Sequence, residues 1–269
     1  MSLKLALYRS PAMATIIRSS LNRVVPHGFT IIKVAGGGLK GAHLALDLQT
    51  EKDYWLGTYE PDLQAAIANL VRPGDVVFDV GANIGYISLL LARAAGETGR
   101  VFAFEALPEN QVRLHQNISL NKMLLRVVVV RAAVVDRTGA VRFLVGPSGG
   151  MGKVEGSAGR QEIAYPQSLV VPATSLDEFV YSAGRPAPQV VKMDIEGGEG
   201  LAMLGMKRLL GEARPIILLE LHGPEAARIV WDTLTEARYR IYRMQPGYPA
   251  VPSVDDLEWK SYIVGLPLS

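Results

Sequence analysis

Between residues 76 and 221 the apolar positions come in short, nearly continuous runs rather than in alternation. Residues 76–80, 101–104, 127–130, 190–193 and 216–221 are runs of this kind, rich in valine and isoleucine. Continuous apolar strands imply a parallel sheet covered on both faces. Helical spacing fills gaps between them, at 86–95, 110–121 and 200–210, so strand and helix alternate as in α/β folds. Residues 239–243 and 262–266 are strand-like with no helical pattern long enough for a parallel crossover. They predict an antiparallel pair closing one sheet edge. The result is an α/β fold with a seven-stranded, mostly parallel, doubly wound sheet in which one strand is reversed.

Residues 1–57 precede this rhythm and read as an appendage to a main domain of residues 58–269. Residues 1–23 predict a short amphipathic helix, interrupted by Lys4, Arg9, Pro11 and Arg18 and lacking a secretory apolar core. Two readings of it stay open: packing on the domain, or lying on a membrane or partner. Residues 29–34 and 42–48 flank Gly36-Gly37-Gly38 and Gly41 and predict a hairpin, a possible pairing element for a homodimer. A helix follows, with Thr58 as cap, Pro61 in its first turn, an apolar stripe of Leu63, Ile67 and Leu70, and Pro73-Gly74 as stop. Residues 140–145 are expected to pair with the end of the third sheet strand. The Gly-rich stretch 146–167 shows no periodicity and reads as a substrate loop or a plain linker.

Composition narrows the chemistry. At 269 residues, 49% hydrophobic and 20% charged, the chain is a folded protein near the size limit of one core. It has no cysteine, which excludes disulfide frameworks, zinc–thiolate sites, iron–sulfur clusters and thiol nucleophiles. The net charge of +2 is dispersed, which disfavours a nucleic-acid partner. No apolar run reaches the length of a transmembrane helix. A cytoplasmic location is the default expectation.

The densest chemistry lies in Phe78-Asp79-Val80-Gly81-Ala82-Asn83-Ile84-Gly85-Tyr86, a Gly-rich turn between the first sheet strand and its helix. Open α/β sheets bind ligands at such strand ends, and small residues let backbone approach them. The spacing is not the G-x-G-x-x-G of a dinucleotide fold. Asp79, at the strand end, disfavours a pyrophosphate and favours a ligand bearing an ammonium or sulfonium. S-adenosylmethionine is such a ligand. Glu105, ending the second strand in Phe104-Glu105-Ala106, is placed to accept both hydroxyls of an unmodified ribose.

On these residues the chain resembles the FkbM family of S-adenosylmethionine-dependent methyltransferases. The resemblance runs from Gly57-Thr58-Tyr59-Glu60 through the two strand-end motifs, with Pro108 and Asn110, to Ser175-Leu176-Asp177 and Lys192-Met193-Asp194-Ile195-Glu196-Gly197 with Glu199. It implies a class I methyltransferase (Rossmann-like) sheet and, most often, O-methylation of a small hydroxyl acceptor such as a sugar, polyketide or glycolipid-like metabolite. The cofactor-contacting set is then Glu60, Asp79, Gly81, Ala82, Asn83, Gly85, Tyr86, Glu105, Ala106, Ala133 and Asp194. Glu60 has the alternative of a carboxylate favoured by a helix dipole. Catalysis falls to Asp194, Glu196 and His222, the last as a general base; each also has a purely structural reading. Asp194, Glu220 and His222 together offer a place for Mg²⁺, which is not favoured because that ion prefers oxygen ligands. Trp55, Trp231 and Trp259 read as core residues. Two other functions stay open: a nucleic-acid methyltransferase, and a non-catalytic cofactor-binding partner protein.

Overall fold

The computed structural model describes residues 28–146, 152–160 and 162–268. The amphipathic helix expected over residues 1–23 lies outside the described residues. The chain divides into two compact units, residues 1–61 and 62–269.

In the first unit, β1 (Phe29–Lys33) and β2 (His43–Asp47) form the expected hairpin, antiparallel with Phe29 opposite Asp47. Leu44, Ala45 and Leu46 are buried, while Phe29 and Ile31 on β1 are exposed. A one-turn helix α1 (Lys52–Leu56) follows. The Thr58 hydroxyl donates to Asp53 Oδ1 at 3.3 Å, back toward α1.

The second unit begins within α2 (Pro61–Leu70), which buries Leu63, Ala66 and Ile67. Then come β3 (Val76–Val80), α3 (Tyr86–Ala94), β4 (Arg100–Phe104), α4 (Pro108–Leu120) and β5 (Val127–Val130). After an intervening small sheet the chain returns as β10 (Val190–Met193), β11 (Ile216–His222), β12 (Tyr239–Arg243) and β13 (Lys260–Pro267). The sheet order is β12-β13-β11-β10-β3-β4-β5, and β13 alone runs against its neighbours. The chain winds from β3 toward one edge and then resumes at β10 on the other side. The strand ends at β3 and β10 are therefore a topological switch point, where open α/β sheets bind ligands.

Phe78, Phe102 and Phe104 come from neighbouring strands and meet Phe179, with rings edge to face and centroids 5.0–5.6 Å apart. Such aromatic pairs add to the burial that fixes the sheet. This Rossmann-like α/β arrangement agrees with the sequence reading.

Three details differ. Residues 140–145 do not join the third sheet strand. They belong to β7 (Gly139–Val145), in a separate sheet of order β6-β9-β7-β8 with β6 (Ala133–Val134), β8 (Lys153–Val154) and β9 (Gln167–Thr174). Of the Gly-rich stretch 146–167, residues 147–151 and 161 lie outside the described residues, and the remainder includes β8 rather than being structureless. The helix expected over 200–210 is two, α5 (Glu199–Leu204) and α6 (Lys207–Glu212). The Asp177 carboxylate accepts the Arg208 and Leu209 amides at 2.9 and 2.8 Å, supplying the start of the second helix with acceptors it would otherwise lack. A further helix, α7 (Pro224–Glu236), carries the chain from β11 to β12.

Candidate active site

The turn after β3 is built for close backbone packing. Gly81 has φ 81, and a Cβ there would stand 1.9 Å from the Asp194 carbonyl oxygen at the end of β10. Gly81 N and Ala82 N donate to Phe104 O at 3.1 and 2.9 Å, tying the turn to the end of β4. Gly81 and Asn83 remain partly exposed, whereas Ala82, Gly85 and Tyr86 are buried. The Tyr86 hydroxyl accepts Gln64 Nε2 at 3.4 Å. Burial pushes that hydroxyl up to about 12, the Gln64 bond opposing.

Asp79 is wholly buried. Its carboxylate accepts Ser88 Oγ at 2.5 Å and pairs with Lys192 Nζ at 3.1 Å. Lys192 lies opposite Asp79 in the β3–β10 register and also donates to Gly81 O at 3.1 Å. The negative charge expected to face a cationic ligand is thus neutralised inside the sheet. It fixes the turn instead. Glu105 links the two strand-end turns: Oε2 accepts Asn83 N and Oε1 accepts Leu107 N, both at 2.8 Å. Burial raises its carboxyl above the usual range, against the Leu107, Asn83 and Asn110 bonds. Ala106 and Ala133 share a buried apolar cluster with Leu107, Phe143 and Val154. Glu60 lies in the first unit, half-buried with φ 44.

Beyond Asp194, the ends of β10 and β11 gather carboxylates around one imidazole. His222 Nδ1 stands 3.0 Å from Glu199 Oε1, and Nε2 stands 2.9 Å from Glu220 Oε1 and 3.8 Å from Glu196 Oε2. Glu199 Oε1 also accepts the amides of Ile195 and Gly197 at 3.2 and 3.1 Å. Lys260 is ion-paired to Glu220 Oε1. Burial works against a charged His222, but Glu199 and Glu220 outweigh it and push the imidazole up to about 10. Burial likewise works against a charged Glu220, yet His222 and Lys260 pull its carboxyl down to about 2. Glu196 is half-buried with φ 54, and burial raises its carboxyl. Asp194, Glu220 and His222 each present one ligand atom within 4.8 Å of the others.

Residues 79–241 match the family model of the Methyltransferase FkbM domain, well over half of the chain. The chain belongs to the FkbM methyltransferase family. The hexuronic acid methyltransferase AglP of Haloferax volcanii is 28% identical over 179 residues, covering 66% of this chain and 69% of that protein. The tRNA (adenine(58)-N(1))-methyltransferase TrmI of Thermus thermophilus is 32% identical over 106 residues. That match covers 35% of this chain and 41% of TrmI, less than half of the tRNA enzyme's length. Among solved structures, a methyltransferase FkbM from Methylobacillus flagellatus aligns with a TM-score of 0.47 at 16% identity, over 96% of this chain and 60% of that one.

In this FkbM methyltransferase the structure brings Gly81, Asn83, Glu105 and Asp194 to one sheet edge, with Glu196 and His222 beside them. His222 has both nitrogens engaged by carboxylates, which gives it a different part from that of a free general base. Trp259, expected in the core, is 41% exposed, and its ring stands edge-on to His222 at 6.0 Å. Lys192, Glu199 and Lys260 are the participants that motif reading left without a role. Lys192 did carry a signal: a lysine within a fully buried strand requires an acid, and the neighbouring strand holds Asp79. Among the described residues no helix is long and apolar enough to cross a membrane.

Proposed function

We propose that this methyltransferase uses S-adenosylmethionine to methylate a hydroxyl of a small, sugar-like acceptor. The observation that carries the reading is the contact of Gly81 with the Asp194 carbonyl. It joins a turn suited to the cofactor directly to a carboxylate cluster suited to the acceptor.

The residues present fit the cofactor. Glu105 Oε1 accepts Leu107 N at 2.8 Å and Asn110 Nδ2 at 3.5 Å, while Oε2 accepts Asn83 N at 2.8 Å and keeps a lone pair for a ribose hydroxyl. The Asn83 amide, which a phosphate would need, is already given to Glu105, and this supports a nucleoside over a pyrophosphate ligand. When bound, S-adenosylmethionine supplies an electrophilic methyl group.

The chain's own residues then align and deprotonate the acceptor, since displacement chemistry depends mainly on positioning. Asp194 and Glu196, the partly exposed carboxylates of the cluster, are positioned to take the proton that the hydroxyl gives up as its oxygen–methyl bond forms. His222, held by Glu199 and Glu220, fixes the neighbouring acids. The described part of the Gly-rich stretch lies over this edge: a Cβ on Gly197 would meet Ala158 O at 2.3 Å. This supports a role for residues 152–160 in covering the acceptor and excluding water. The relative named for hexuronic acid supports a sugar-like acceptor.

The test is incubation with isotope-labelled S-adenosylmethionine and separate pools of glycoconjugates, small metabolites and tRNA. Label recovered in a glycoconjugate or metabolite, as a product one methyl group heavier, is the expected result. Label in tRNA, or in none of the pools, would reject the reading.

A further inference from the structure

We propose that Asp194, Glu220 and His222 form a binding site for one divalent transition-metal ion, of the manganese type rather than magnesium. Three independent features of the chain support it. The first is placement: the three residues offer ligand atoms within 4.8 Å of one another, with Asp194 half-buried at the strand end. The second is an unmet need inside the cluster. The Glu220 side chain is 5% exposed, and its Oε2 is buried with no hydrogen-bond partner, as is Oε2 of the wholly buried Glu199. Buried carboxylate oxygens are costly to leave in that condition. A cation held by Asp194, Glu220 and His222 removes much of that cost for Glu220.

The third is the orientation of the imidazole. Glu199 holds His222 Nδ1 at 3.0 Å and is itself fixed by the amides of Ile195 and Gly197. That leaves Nε2 directed at Glu220 and Glu196. A carboxylate that holds one ring nitrogen so that the other meets a metal is a recurring arrangement in metal sites. Four carboxylates, Asp194, Glu196, Glu199 and Glu220, surround this edge, countered by Lys260 on Glu220 and by Arg160, which acts on Glu196 from a distance. On binding, the ion takes the place of the proton between His222 Nε2 and Glu220, which leaves to solvent. Lys260, 43% exposed, then gives up its pairing with Glu220 and keeps its contact with Tyr262.

The ligand set decides the metal class. One imidazole and two carboxylates suit manganese and its neighbours, whereas magnesium demands oxygen ligands and retains its waters. In methyl transfer such an ion would lower the acidity barrier of an acceptor hydroxyl. The site does not depend on that chemistry, and its test needs neither cofactor nor turnover.

Full-length protein, stripped with chelator and dialysed, is titrated with Mn²⁺ while the sharp paramagnetic resonance signal of free Mn²⁺ is followed. The expected result is about one ion bound per chain, with affinity reduced about 10–100-fold in Glu199→Gln and at least about 10-fold in Asp194→Asn. Mg²⁺ should displace the ion only in large excess. Ion-free thermal melts confirm that both variants fold; His222→Gln serves as a third if one does not. No stoichiometric binding at about millimolar Mn²⁺, or binding unchanged in folded variants, would overturn the site. Displacement by equimolar Mg²⁺ would overturn the metal class. Failure here leaves S-adenosylmethionine binding standing, because that is read by a separate titration.

Discussion

Lys192→Met tests the scaffold beneath the cofactor turn. The substitution keeps an unbranched chain in β10 but removes the only charge opposite Asp79 in the strand register. Lys192 Nζ lies 3.1 Å from Asp79 Oδ1, with side-chain exposures of 4% and 0%, so water screens the pair little. At that distance and an effective dielectric of about 20, the attraction is about 5 kcal/mol. Removing one partner of a buried pair costs about 3–5 kcal/mol, because the other charge is left uncompensated. For a unit of this size each kcal/mol moves the melting point by about 2–4 °C, so Lys192→Met should melt about 6–20 °C lower. The assay is calorimetric or circular-dichroism melting of wild type, Lys192→Met, Asp79→Asn and the double variant. The double variant should recover much of the loss, giving a coupling energy of about 2–3 kcal/mol. A single variant melting within about 2 °C of wild type, or strictly additive losses, would refute the assignment of this pair as the support of the turn.

Other perturbations separate backbone, cap and charge effects. Gly81→Ala places a Cβ 1.9 Å from Asp194 O at a positive φ; it should cost at least about 2 kcal/mol in urea melts and abolish cofactor binding. Gly211→Ala, in α6 with nothing within 4 Å, should instead stabilise by about 0.5–1 kcal/mol, and an equal loss at both glycines would contradict the packing argument. Asp177→Ala removes the acceptor of two α6 amides and should cost about 0.5–2 kcal/mol in the same melts, with no loss being the adverse result. Burial raises the folded-state carboxyl of Glu105, so its stability contribution is full below about pH 4 and is lost as pH rises through the folded value. Wild-type stability relative to Glu105→Gln should therefore decline as pH rises above about 4, and a flat or rising difference would rule this out.

The main sheet is legible in the sequence because strands buried on both faces are apolar almost throughout; 76–80 and 190–193 carry one charged residue each, Asp79 and Lys192, and these two pair with each other. The small sheet is not, since β9 alternates exposed and buried positions, carries Pro172, and pairs with strands as short as two residues. α7 has a readable signal, Pro224 in its first turn with Ala226, Val230 and Leu234 buried, but small alanines dilute the stripe. In the site, motif residues are legible because they fall at strand ends. Their partners are not. Asp79 meets Lys192 across 113 positions only through the β3–β10 register, and Glu199 meets His222 only because β10 and β11 are neighbours. A carboxylate with no visible neighbour in sequence thus reads as ligand-facing when the fold has already paired it.

The central claim is that the edge formed by the Gly81 turn and Glu105 holds S-adenosylmethionine. Isothermal titration of the purified protein with that cofactor tests it most directly. About one site per chain is expected, weakened at least about 10-fold in Glu105→Ala, which loses an anchor for hydrogen bonds to a charged group. Absence of binding while a nicotinamide dinucleotide binds, or affinity undiminished in a folded Glu105→Ala protein, would contradict it.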